Sequence, residues 1–82
     1  MADIELSTHA KDMLIERQIS EEWVWRTVKS PDRKETGADK NSHYFKAIEE
    51  NENRVLRVIV NPHTEPERVV TVFFDRRLRR KR

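Results

Sequence analysis

The chain has 82 residues, 35% of them hydrophobic and 39% charged, with a single glycine and no cysteine. That length supports one core and excludes a two-domain organisation, while the missing cysteines exclude disulfides and thiolate metal sites. The formal charge of +2 conceals an asymmetry, because DRRLRRKR at 75–82 carries six basic groups and one acidic one, leaving −3 for residues 1–74. We therefore expect one α+β domain over residues 1–75 and a basic tail over 76–82.

In chain order, DIEL at 3–6 alternates well enough for a short first strand. Ser7 or Thr8 then caps a helix in which Ala10, Met13, Leu14 and Arg17 recur at i, i+3, i+4 and i+7, an apolar face closed by the arginine. A second helix starts at Ser20, with Glu21 and Glu22 where the helix dipole favours negative charge, and stops before Pro31. It carries Val24 and Val28 at i and i+4, with Trp23 and Thr27 beside them and Trp25 pointing elsewhere. The short link around Ile19 forces the two helices into a hairpin. Beyond Pro31 the period changes to two. RKETGA suits an edge strand, and Gly37 with DKNS marks a turn. Strands are expected at 42–49, 53–61 and 67–75, separated by ENEN and PHTEP, short enough for an antiparallel meander. Leu56, Val58 and Val60 should share one face and Val55, Arg57 and Ile59 the other. Likewise Val70, Val72 and Phe74 should oppose Val69, Thr71, Phe73 and Asp75. Helices cover one face; the other is where a ligand could sit.

Several chemistries drop out. One glycine cannot build a phosphate-cradling loop, and His9, His43 and His63 lie in different elements without metal-ligand spacing, so neither a metal nor another cofactor is expected. The serines look like caps or turn residues, and no nucleophile elbow surrounds them. No run approaches the roughly 18 apolar residues of a membrane span, and MADIELSTHAKD lacks a signal peptide's apolar centre, so a cytoplasmic location is expected.

What remains is a basic and polar set. His9, Arg57 and Lys46 are the candidate catalytic residues, and Arg17, Tyr44, Arg76, Arg77, Arg79 and Arg80 the candidate RNA-binding ones. Such groups suit attack of a ribose 2′-hydroxyl on the adjacent phosphate: a base at the hydroxyl, an acid at the leaving oxygen and cations around the phosphate. Each residue has a plainer role beside this one. Arg57, between Leu56 and Val58, faces either a partner carboxylate such as Asp75 or an open functional surface.

The order of motifs resembles a family of small microbial domains of unknown function. The matching features are Ser7, His9 and Ala10; Glu16, Arg17, Ile19 and Ser20 between the helices; Pro31; Leu56, Arg57 and Val58; and Val70, Thr71, Val72 and Phe73. That family looks related to the ribonuclease toxins of the RelE and BrnT type. The resemblance implies two N-terminal helices packed on one face of a small antiparallel sheet. It also implies metal-independent RNA cleavage and a cognate antitoxin encoded alongside. Met13 departs from the pattern, which often has arginine one helical turn after the histidine. The alternatives are a non-catalytic module binding nucleic acid or protein through the open face, and a structural protein that forms a homodimer.

Overall fold

The computed structural model describes residues 4–78. The chain runs β1 (Ile4–Leu6), α1 (Thr8–Glu16), α2 (Glu21–Lys29), β2 (Arg33–Thr36), β3 (Ser42–Ile48), β4 (Arg54–Asn61) and β5 (Glu67–Phe74), with short 3-10 turns at Glu49–Asn51 and Arg76–Leu78. The strands form one sheet in the order β1-β5-β4-β3-β2.

The sheet is mixed, which corrects the expectation of a purely antiparallel one. β2 through β5 do form the meander, but β1 pairs parallel to β5, Ile4 opposite Glu67 and Leu6 opposite Val69. A strand that opens the chain and then crosses over through two helices returns to the sheet without a hairpin, so nothing obliges it to run antiparallel.

Local signals account for the helices. The Ser7 hydroxyl accepts the Ala10 amide at 3.0 Å, and that of Ser20 accepts the Glu22 amide at 3.2 Å. Arg17 caps the C-terminus of α1 instead of continuing it, and Gln18 takes a positive φ, so the corner turns within a few residues and Ile19 is buried. Ala10, Leu14, Ile19 and Val24 join Tyr44, Ile48, Leu56, Val58, Val60, Val69 and Val72 in one apolar cluster. Complete burial of an aliphatic side chain such as Leu56 contributes about 1.5–3 kcal/mol.

Two details differ from strict periodicity. A bulge between Ile59 and Val60 pairs Ile59 with Thr71 but Val60 with Val69, so Val70 is the extra residue and Val69 takes its place on the core side. Trp25 does not point away. It packs against the rim of the cluster with its indole N–H donating to Glu21 at 3.0 Å, while Trp23 meets Phe74 edge to face at 6.0 Å.

Candidate functional site

Strand alternation sends His43, Phe45, Ala47, Val55, Arg57, Ile59, Thr71 and Phe73 to the sheet face opposite the apolar cluster. On this second face the register places Arg33, Phe45, Arg57 and Phe73 directly opposite one another across β2, β3, β4 and β5. Cation and ring alternate along the row. The Arg33 guanidinium lies 4.7 Å from the Phe45 ring centroid, and that of Arg57 lies 4.9 Å from Phe45 and 5.8 Å from Phe73. Each contact of this kind is worth about 0.5–1 kcal/mol where exposed and more where water is excluded.

Arg57 is also the middle of a polar chain. Its Nη1 donates to Asp75 Oδ2 at 2.8 Å, and its Nε and Nη2 both approach His43 Nδ1, at 3.1 and 2.9 Å. On the far side of the imidazole, His43 Nε2 lies 3.1 Å from Asp39 Oδ1. A guanidinium only donates, so His43 Nδ1 is the acceptor and the ring proton sits on Nε2, donated to Asp39.

The flanking carboxylates are tuned to accept. Burial pushes the Asp75 carboxyl up, but the Arg77 amide and the Arg57 guanidinium outweigh it and hold the group below its ordinary value. Asp39 is also held low, first by the Asn41 amide and then by His43. The chain's one glycine makes room for this pair. A Cβ on Gly37 would sit 2.5 Å from His43 Nε2 and 2.8 Å from Asp39 Oδ1, closer than any side chain tolerates.

Beside the row, Asp32, Arg33, Phe45, Lys46, Ala47, Val55 and Leu78 line a groove of about 390 Å³. Leu78, the last residue of the turn at Arg76–Leu78, forms one wall of this groove. The turn is tied to the polar chain, because the Arg77 amide donates to Asp75 Oδ1 at 3.0 Å.

The anticipated site residues are not brought together. His9 and Arg17 are exposed on and beside α1, in the helical layer, whereas Arg57 lies on the opposite side of the sheet. Tyr44 is 8% exposed within the apolar cluster. Lys46 donates to the Ser30 carbonyl at 2.9 Å and lies 3.6 Å from Asp32, so it anchors the segment between α2 and β2. Arg57, Arg76 and Arg77 do lie near one another around Asp75, and Arg79 and Arg80 fall outside the described residues.

Sequence reasoning missed His43, Asp39 and Phe45. The signal present was positional. Asp39 and His43 bracket a turn four residues apart just past Gly37, and His43 shares strand parity with Phe45, but only the register brings Arg57 alongside them. Among the described residues, no cluster of three or more His, Asp or Glu side chains is arranged to hold a metal ion, and no helix is long and apolar enough to cross a membrane.

A family model described as a domain of unknown function, DUF4258, matches residues 6–74. The chain belongs to that family. The DUF4258 match takes in Asp39, His43 and Arg57 and ends one residue before Asp75, so the carboxylate that holds Arg57 lies just past its edge. No curated protein and no solved structure matches the chain significantly.

Proposed function

We infer that this DUF4258 domain binds single-stranded RNA on its second sheet face. The observation that carries the reading is the row Arg33, Phe45, Arg57 and Phe73, laid across four adjacent strands on the side without helices. Aromatic rings and guanidinium planes both stack on unpaired bases, and since Phe45 is 4% exposed beneath the two guanidinium groups, the surface open to a base is that of Arg33, Arg57 and Phe73. Arg33 and Arg77 are exposed at the two ends of this region, and Arg79, Arg80, Lys81 and Arg82 follow in the sequence directly after Leu78. Those charges supply the sequence-independent attraction to phosphate that the balanced ion pairs of the sheet do not. Kinship with RelE and BrnT ribonuclease toxins, implied by the sequence resemblance, fits the same reading. It leaves one sheet face for RNA and makes an antitoxin the competitor for that face.

The test is fluorescence anisotropy with a short labelled single-stranded RNA of mixed sequence, with its duplex as comparison. The single strand should bind more tightly than the duplex, and Arg33→Ala should weaken it. Equal affinity for the two forms, or none for either, rules out a stacking face.

A further inference from the structure

Most arginines of the domain already have a carboxylate beside them. Arg26 faces Glu22 and Glu50, Arg33 faces Glu35, Arg68 faces Glu5, and Arg57 and Arg77 share Asp75. Arg54 and Arg76 have no acidic partner among the described residues, and strand pairing brings these two together. Leu56 lies opposite Phe74, and the Asp75 amide donates to the Val55 carbonyl at 2.9 Å, which carries Arg76 level with Arg54 at the end of the sheet. With Phe74 and Asp75 they line a cavity of about 370 Å³. The Asp75 carboxylate does not neutralise them, because one of its oxygens accepts from Arg57 and the other from the Arg77 amide. Arg17 also lacks an acidic partner, but it caps α1 and lines no part of this cavity.

Two exposed cations lining one cavity without a counter-charge focus a positive field on the space between them. A guanidinium holds phosphate oxygens bidentately, and a pair of them matches a phosphomonoester, with its charge of about −1.5 to −2 near neutral pH, better than a singly charged diester or carboxylate. The cavity is larger than a phosphate ion fills. Part of its wall is the half-buried Phe74 ring, which stands edge to face with Trp23, so the space beside the phosphate suits a ring joined to it. We propose that Arg54, Arg76 and Phe74 form a binding site for the phosphomonoester of a nucleotide. Arg54 shares strand parity with Leu56, and both Leu56 and Phe74 belong to the helix-covered side of the sheet. The site is therefore separate from the second-face row and stands whether or not that face binds RNA. A free nucleoside monophosphate and the 5′-phosphate end of an RNA both present this chemistry.

The experiment titrates the full chain with adenosine 5′-monophosphate, with adenosine, and with one short RNA carrying either a 5′-phosphate or a 5′-hydroxyl, read by calorimetry and ¹H–¹⁵N spectra. The phosphorylated ligand of each pair should bind about 10-fold or more tightly than its counterpart and shift the amides of Arg54, Phe74 and Arg76. Arg54→Gln and Arg76→Gln should each remove about that factor, whereas Lys11→Gln, which takes the same charge from α1, should not. A preference for the monophosphate with no preference between the RNA ends assigns the site to free nucleotides. A preference for the 5′-phosphate end that both variants abolish assigns it to RNA ends. The proposal is overturned if neither phosphorylated ligand is preferred, or if the preference survives in both variants. Both arginines are exposed and unpaired, so the variants should melt with the wild type. If one does not, the wild-type spectra decide, and shifts confined to other residues overturn the site.

Discussion

Arg57 directs two nitrogens at one acceptor: Nε and Nη2 lie 3.1 and 2.9 Å from His43 Nδ1. Since none of the guanidinium nitrogens accepts, the pair fixes the imidazole with its proton on Nε2. Long-range ¹⁵N–¹H correlation spectra should show Nδ1 unprotonated and Nε2 carrying the proton, and Arg57→Met should release the ring into a mixture of tautomers. A wild-type ring protonated on Nδ1 would break the chain from Asp39 to Asp75 at its centre.

The other end of that chain sets an acid limit on stability. The Asp75 carboxyl is 4% exposed, its Arg57 partner 21%, and its folded-state pKa is depressed. A depressed carboxyl contributes stability that is present above the unfolded value of about 4 and lost as pH falls through the folded value. Asp75→Asn should therefore cost about 2 kcal/mol at neutral pH, less than breaking a fully buried pair because Arg57 keeps some solvent. Denaturant titrations of wild type and variant should converge in acid. A constant gap down to low pH would show that the loss is packing and not charge.

Much of the architecture was legible because it follows from period and punctuation. Ser7 and Ser20 are side-chain caps, Ile19 fills the corner, and β3, β4 and β5 start and stop within about a residue of where alternation and turn residues place them. What was not legible depends on pairing. The parallel partner of β1 and the bulge that moves Val69 onto the core side are properties of two strands at once. The same holds for the site. Arg57 stood out as a cation in an apolar run, with Asp75 as its possible partner. His43 looked ordinary until the register put it diagonal to Arg57, and His9 stood out through local sequence although it lies in the other layer.

Gly37 offers a test of how tightly the loop is built around the His43–Asp39 pair. Its φ is not positive, so alanine is conformationally allowed there and any cost comes from contact. Because the Cβ would lie 2.5 Å from a buried ring nitrogen, Gly37→Ala should destabilise the fold by about 1–3 kcal/mol. It should also shift the His43 ring resonances. Unchanged ring resonances would mean that the loop moves as a unit and that the close approach has no bearing on the pair.

On the core side, Leu56 is fully buried opposite Lys46 and Phe74, within the cluster that α2 closes. Leu56→Ala should cost about 3 kcal/mol, lowering the melting temperature by more than 10 °C, roughly, for a domain of this size. Ile15, 79% exposed on α1, is the control, and Ile15→Ala should lie within about 0.5 kcal/mol of wild type. A comparable loss at both positions in thermal melts would place Ile15 in an interface between copies.

Charge and stacking on the second face separate by their response to salt. Removing Arg79, Arg80, Lys81 and Arg82 takes four cations from the chain and leaves every residue of the ring row in the sequence. For single-stranded RNA the slope of log affinity against log salt should then fall by roughly 3, with most of the loss in affinity confined to low ionic strength. Phe73→Ala should do the opposite. It removes a stacking surface worth about 1–3 kcal/mol per base, so affinity should fall by a similar factor at every salt concentration while the slope is retained. Anisotropy titrations over a salt series measure both. A Phe73→Ala variant that binds as wild type does would move the contact off the sheet and leave the tail alone as the RNA-binding element.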